Sequence, residues 1–235
     1  MRIVQLSDSH ISRDHPARTG DLAACIRHIN ALDHQPDVVA HTGDISHDGH
    51  AEEYATARRL LDQLTAPYVV LAGNRDNRHE LIKAFADGQH LRLGMEFVQY
   101  AVERFATRLI VADTMTTTSN KGRLCPARLA DIERLLAADS SRPAALFLHH
   151  PPFEVHAAPD PIHFEDWADV EALKPILARN RQICGVFCGH VHRSVEGVVG
   201  EVRASTVSCV AVDLRKGVPR ATAADPPMFQ IHTVP

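Results

Sequence analysis

Five short polar clusters carry the residues of this chain that could do chemistry. They are Asp8-Ser9-His10, Gly43-Asp44, Gly73-Asn74-Arg75-Asp76, His149-His150-Pro151-Pro152 and Gly189-His190-Val191-His192. Their side chains offer carboxylate oxygens, imidazole nitrogens and an amide oxygen, but no thiolate. Asp8 and His10 are alternate residues, so in an extended segment both point the same way, and His190 and His192 share that spacing. A carboxylate such as Asp44 can bridge two cations through its two oxygens, while Asn74 adds a neutral carbonyl. Mixed nitrogen and oxygen donors suit Mn, Fe, Zn or Co rather than Cu(I) or a cluster. Two divalent ions carry four positive charges, of which Asp8 and Asp44 cancel two. The remaining field would attract and polarise a phosphate ester, and a metal-bound hydroxide would supply a nucleophile at neutral pH.

To act together these clusters must reach one place, and the residues before them say how. Each follows an apolar run that reads as a buried strand, at 3–6, 38–40, 68–72, 144–148 and 183–187. Ligands bind outside the carboxyl ends of strands in open α/β sheets, so five such ends at one rim would build a polynuclear metal site. Between the strands, Leu22, Cys25, Ile26, Ile29 and Leu32 recur at helical spacing within residues 17–33, as do Tyr54, Ala57, Leu60, Leu61 and Leu64 within 50–65. Pro126 opens a third helix reaching residue 138. A fourth, near 169–180, contains Pro175, where a kink or break is expected. Residues 97–102 and 108–112 read as a hairpin, and 194–199, 202–212 and 229–234 have the β-branched content of further strands. This order predicts an α/β fold of two mixed sheets packed face to face with helices outside. The Pro-rich stretches 159–161 and 219–227 read as loops.

Composition narrows the setting. A chain of 235 residues fits one domain, taken here as 1–235. Aromatics make up only 5%, so the core must be built from Val, Ile, Leu and Ala. A net charge of -4 gives no electrostatic reason to expect a nucleic-acid polymer or an anionic membrane as partner. The five cysteines show no CxxC spacing, and three lie in or beside apolar runs, where Cys acts as a small buried hydrophobe. The first strand begins directly after Met1, and no run of about 18 apolar residues could span a bilayer, so a cytoplasmic setting is expected.

The order D-x-H, GD, GN-x-D, H-x-P and GH-x-H resembles the calcineurin-like metallophosphoesterases over nearly the whole chain. More narrowly, residues 43–49, 149–152 and 188–193 are similar to class III cyclic-nucleotide phosphodiesterases. The bacterial glycerophosphodiesterases share these features, and Thr107-Arg108-Leu109 and Ser119-Asn120-Lys121-Gly122 resemble them too. The resemblance implies a metallo-dependent phosphatase-like fold, a four-layer αββα sandwich. It also implies two divalent ions, with Asp8, His10 and His192 on one, Asn74, His149 and His190 on the other, and Asp44 bridging. One position departs from that family, whose motif usually reads GNHD where this chain has Arg75. Arginine keeps its proton and cannot be a general acid. It can clamp a phosphate oxygen and stabilise charge developing on the phosphoryl group. GNRD also resembles metal-dependent hydrolases that split a UDP-sugar lipid pyrophosphate.

Each residue also has a plainer reading. An isolated His or Asp at a strand end is usually a cap or surface group, but that does not explain seven in family order. Arg75 could pair with Asp76 or Asp48 instead of substrate, and Asp76 is expected to orient the loop. His150 could line the pocket or support the chain before two prolines. The loop 153–168 could carry His156 and His163 over the site and so set substrate choice. The reading that results is a phosphodiesterase for 3′,5′-cyclic nucleotides or small glycerophosphodiesters. Asp44, Asn74 and Arg75 are its catalytic residues, with Arg75 and His150 contacting substrate. The alternatives are a phosphomonoesterase or pyrophosphate-cleaving hydrolase, favoured by Arg75, and a non-catalytic phospho-ligand-binding module. The expected partner is a small phosphate ester, with no nucleic-acid polymer and no membrane. A homo-oligomer is allowed, though not one built through a long C-terminal cap.

Overall fold

The computed structural model describes residues 1–87, 89–217 and 229–235. Strands β1 (Arg2–Leu6), β2 (Val38–His41) and β3 (Tyr68–Val70) lie parallel, and β10 (Gln230–Thr233) closes the other edge antiparallel to β1. The second sheet runs in the order β4 (Tyr100–Val102), β5 (Arg108–Val111), β6 (Ala144–Phe147), β7 (Ile183–Cys188), β9 (Val202–Thr206) and β8 (Val195–Val199). Its centre is parallel and its two edge pairs are antiparallel. The central strands are apolar at nearly every position because both faces are covered. Leu109, Val111, Ala145 and Phe147 turn toward the first sheet and share its core. Their neighbours Ile110, Ala112, Leu146 and Leu148 join a second core beneath α4 (Pro126–Ala137) and α5 (Trp167–Arg179). Helices α1 (Ala17–Asn30), α2 (Ala51–Leu61) and α3 (Arg78–Phe85) cover the first sheet through Leu22, Ile26, Tyr54, Leu61 and Leu81. The result is the expected sandwich of two mixed sheets flanked by helices.

Three local expectations change. Helix α5 is continuous through Pro175, because the proline is exposed while Val170, Leu173, Ile176 and Leu177 bury one face in the second core. Helix α3 had no counterpart in the sequence reading. Asn77 caps it by accepting from the His79 and Glu80 amides, and Leu81, Ile82 and Phe85 anchor it. The strand expected over 202–212 ends at Thr206, and the chain then closes in a 3₁₀ turn at Val212–Leu214. The loop expected at 219–227 falls outside the described residues. No described helix is long and apolar enough to cross a membrane.

His232 on β10 reaches between the sheets. Its Nε2 lies 2.9 Å from Gln5 Oε1, and its ring centroid is 4.2 Å from that of Phe187. Burial pushes the imidazole down to about 4. An unfolded histidine titrates near about 6.5. The neutral ring therefore contributes fully above that pH, and its contribution is lost as pH falls toward the folded value. His232→Gln should flatten the pH dependence of stability between about pH 6.5 and pH 4 by up to one proton of slope, roughly 1.4 kcal/mol per pH unit. Urea midpoints measured across that range check it; an unchanged slope would assign the proton to another group.

Candidate metal centre

Beyond the strand ends the backbone stays paired, which holds the clusters in register. Asp8 N donates to Gly43 O at 3.0 Å, His10 N to Asp44 O at 2.9 Å, and Gly189 N to His149 O at 3.0 Å. Within this frame Asp8, His10, Asp44, His190 and His192 have φ of 56°, 44°, 52°, 72° and 57°. They are the only non-glycine residues with positive φ among the described residues. Each such conformation costs on the order of 1 kcal/mol and persists where surrounding structure over-determines it. Here it turns each side chain off its strand and into the rim. The approach is close enough that a Cβ at Gly189 would collide with Ser7 Oγ and Asp8 Oδ2, and one at Gly73 with the Asp44 carboxylate.

The donors gather into two linked groups. Asp8, His10, Asp44 and His192 place ligand atoms within 4.8 Å of one another. His192 Nε2 is 3.4 Å from Asp8 Oδ1, His10 Nε2 is 3.5 Å from Asp44 Oδ2, and the two imidazole Nε2 atoms are 3.2 Å apart. In the second group, Asn74 Oδ1 lies 3.2 Å from His149 Nε2 and 2.8 Å from His190 Nδ1. Asp44 joins them: its Oδ2 faces His10 while its Oδ1 is 3.5 Å from His149 Nε2. All seven residues picked out by their order in the chain thus surround one small volume.

Backbone carbonyls orient two of the rings. A carbonyl only accepts, so His149 Nδ1 donates to Thr42 O at 2.8 Å and His192 Nδ1 to Leu214 O at 3.0 Å. In each case Nε2 is left facing the other donors. Leu214 is itself held, because Arg18 on α1 ties down the neighbouring Asp213 at 2.7 Å. Neither carbonyl has a signature in the sequence.

The electrostatics are those of a centre lacking positive charge. Burial raises the Asp44 carboxyl well above its usual range, and the charges of Asp8 and Asp76 add to this. Burial also pushes His10, His149 and His190 down, favouring neutral rings with free lone pairs. Burial would lower His192 and raise Asp8, but the pair overrides it: His192 is raised, and Asp8 is held below the carboxylate range. Asp8 Oδ1 is buried without a well-formed hydrogen bond. Opposed lone pairs, an orphaned carboxylate oxygen and oxygen–nitrogen donors without thiolate together fit divalent cations.

The remaining candidates take different positions. Arg75 N donates to Asp44 Oδ1 at 2.7 Å, which keeps its main chain on the site. Its guanidinium is 44% exposed; Nε donates to His47 O at 3.0 Å, and Nη2 lies 3.2 Å from His47 Nε2 and 3.8 Å from Asp48. Asp76 is not its partner. That buried carboxylate accepts from the Ile45, Ser46 and Gly73 amides and the Tyr54 hydroxyl, fastening the Asp44 and Asn74 loops together. His150, expected to touch substrate, is fully buried. Its Nδ1 is 2.8 Å from Thr114 Oγ1, its Nε2 is 3.2 Å from Asn120 O, and its ring packs on His190 at 4.5 Å. With both nitrogens engaged it backs His190, and direct contact with substrate would break bonds the fold already makes. Above the centre opens a cavity of about 500 Å³, whose wall includes Lys216, a residue no motif singles out.

Comparisons with known proteins point to one family. A family profile for calcineurin-like phosphoesterases matches residues 1–194. A protein of Arcobacter nitrofigilis described as a probable glycerophosphodiester phosphodiesterase is 31% identical over 99% of this chain and 88% of its own length. A probable cyclic nucleotide phosphodiesterase of Rhodopseudomonas palustris is 34% identical over 84% of this chain and 74% of its own. Among solved structures, a dimetal phosphatase from Danio rerio superposes with a TM-score of 0.74, covering 98% of this chain and 91% of that one. At 15% identity this is a likeness of fold.

A carboxyl raised in the folded state favours folding below its unfolded pKa of about 4, and that contribution is lost as pH rises through the raised value. At about pH 8 the metal-free protein should therefore melt higher after Asp44→Asn, which removes the repelled charge. The same change should cut the rise in Tm produced by manganese in the wild type. Differential scanning fluorimetry with and without the ion reads both, and a metal-free variant melting below wild type would contradict the repulsion.

Proposed function

This chain belongs to the calcineurin-like phosphoesterase family, and we propose that it hydrolyses phosphodiesters, with 3′,5′-cyclic nucleotides or small glycerophosphodiesters as substrates. The observation that carries this reading is the pair of donor groups joined through the two oxygens of Asp44. Asp8, His10 and His192 would hold one ion and Asn74, His149 and His190 the other, with Asp44 shared. Manganese, iron, zinc and cobalt suit these donors. When bound, such ions polarise a phosphoryl oxygen and make water acidic enough to attack near neutral pH. The catalytic domain is taken as residues 1–235, since β10 near the C-terminus completes the first sheet beside β1.

The chain's own residues then do two things. Asn74 and the histidines fix where the phosphoryl group sits. Arg75 offers a guanidinium at the cavity edge that neutralises charge on the phosphoryl oxygens as the P–O bond to the alcohol breaks and the bond to the water oxygen forms. A guanidinium is not a general acid, so the departing alkoxide takes its proton from solvent. Good leaving groups should therefore be favoured. Arg75 also motivates the second reading, a phosphomonoesterase or pyrophosphate-cleaving hydrolase.

Manganese-loaded protein should turn over bis(p-nitrophenyl) phosphate faster than p-nitrophenyl phosphate or inorganic pyrophosphate. No diester turnover with manganese, iron, zinc or cobalt would remove the proposal, and faster monoester or pyrophosphate cleavage would favour the second reading. Arg75→Ala should lower kcat about 100-fold, the scale of a lost transition-state donor. Arg75→His should give a pH–rate limb near about 6.5 and weaken the dependence of rate on leaving group. An Arg75→His profile that superposes on wild type would place Arg75 outside the chemistry.

A further inference from the structure

The cavity over the metal centre is charged unevenly. Two cations flank His192: Arg193 follows it in the chain, and Lys216 is held there because its amide donates to the His192 carbonyl at 2.9 Å. Among the described residues neither has a carboxylate within ion-pair distance. Arg193 instead donates through Nη1 to Ala157 O, which ties the 153–166 loop over the cavity. A third cation, Lys121, also lines the cavity and pairs with Asp160 at 2.6 Å. The loop is also stitched to the Lys121 segment, with Gly122 N donating to His163 O at 2.9 Å and Glu165 N to Gly122 O at 3.0 Å.

That stitching buries His163 to 8% exposure, against the ring of His190 at 5.0 Å, and its Nε2 has no hydrogen-bond partner. His163, Lys121 and Lys216 all line the cavity. Two cations without a carboxylate partner and a third with an exposed counterion thus line the cavity, with the His163 ring beside them. They occur in a chain whose net charge is -4, so the excess is local. A scissile diester brings one negative charge, which the metal centre and Arg75 already answer. The His192 side has positive charge beyond that need.

We infer that the wall formed by Arg193, Lys216, Lys121 and His163 is a subsite for a second anionic group, so that the preferred substrates are phosphodiesters carrying an additional phosphate or carboxylate on one alcohol half. This rests on the phosphodiesterase reading above and deepens it. Lys216 and Arg193 are its specificity-determining residues, and the subsite selects against a cationic half such as choline. Attraction across a partly enclosed cavity acts on substrate capture, so it appears in kcat/KM more than in kcat and weakens with salt.

Thymidine 5′-(p-nitrophenyl phosphate) and its 3′-phosphorylated analogue differ by one phosphate and release the same chromophore. With the manganese-loaded full chain at low ionic strength, kcat/KM should be roughly tenfold higher for the 3′-phosphorylated compound. The ratio should fall toward one in Lys216→Gln/Arg193→Gln and, without any substitution, on raising sodium chloride. Lys216→Glu, at an exposed position, should invert the preference. Equal kcat/KM for the two compounds in wild type, or a ratio that survives both salt and substitution, would overturn the inference while leaving the phosphodiesterase reading intact. Turnover of neither compound would overturn both.

Discussion

The buried carboxylate of Asp44 is the constraint around which the structure is organised. It has one oxygen toward His10 and the other toward His149, and it stands in the field of Asp8 and Asp76. Apart from the Arg75 amide, which donates to Oδ1, its near neighbours are the His10 and His149 imidazoles, pushed toward neutrality, and carboxylates of the same sign. A cluster of this kind is unfavourable as bare protein and becomes favourable when cations enter, because the ions supply the charge the side chains lack. The left-handed backbone at Asp8, His10, Asp44, His190 and His192 is the conformational side of the same cost.

What tolerates that cost is the shell behind the donors. Asp76 collects three amides and the Tyr54 hydroxyl, so the Asp44 and Asn74 turns move as one unit. Thr42 O and Leu214 O orient His149 and His192, and Arg18 with Asp213 anchors the turn that presents Leu214. These contacts come from both sheets and from α1. The cradle therefore depends on the two halves of the sandwich being packed together, and the apolar inner faces of β5, β6 and β7 drive that packing.

Arg75 is where the chain departs from the motif it resembles. Its amide supports Asp44 as any residue's amide could, but its side chain brings a permanent charge where the usual histidine brings a titratable ring. His47 occupies two of its donor nitrogens, so the guanidinium is already held at the cavity edge before substrate arrives. A fixed cation suits charge neutralisation and is unsuited to proton transfer.

Much of this was legible in residue order alone. Apolar runs ending in Asp, His or Asn mark strands by their periodicity and donors by their chemistry, and both are local properties of the chain. The same holds for helices whose apolar faces recur every third or fourth residue. Proline read locally was misleading at Pro175, where burial of the opposite face kept α5 whole, and α3 was missed because eight residues carry a short pattern. Tertiary structure alone decided which oxygen of Asp44 faces which histidine, that Asp76 serves the loops rather than Arg75, that His150 is walled in, and that Lys216 sits beside His192. Those facts join residues as far apart as Asp44 and His149, and a chain's sequence encodes such contacts only through the packing of everything between them.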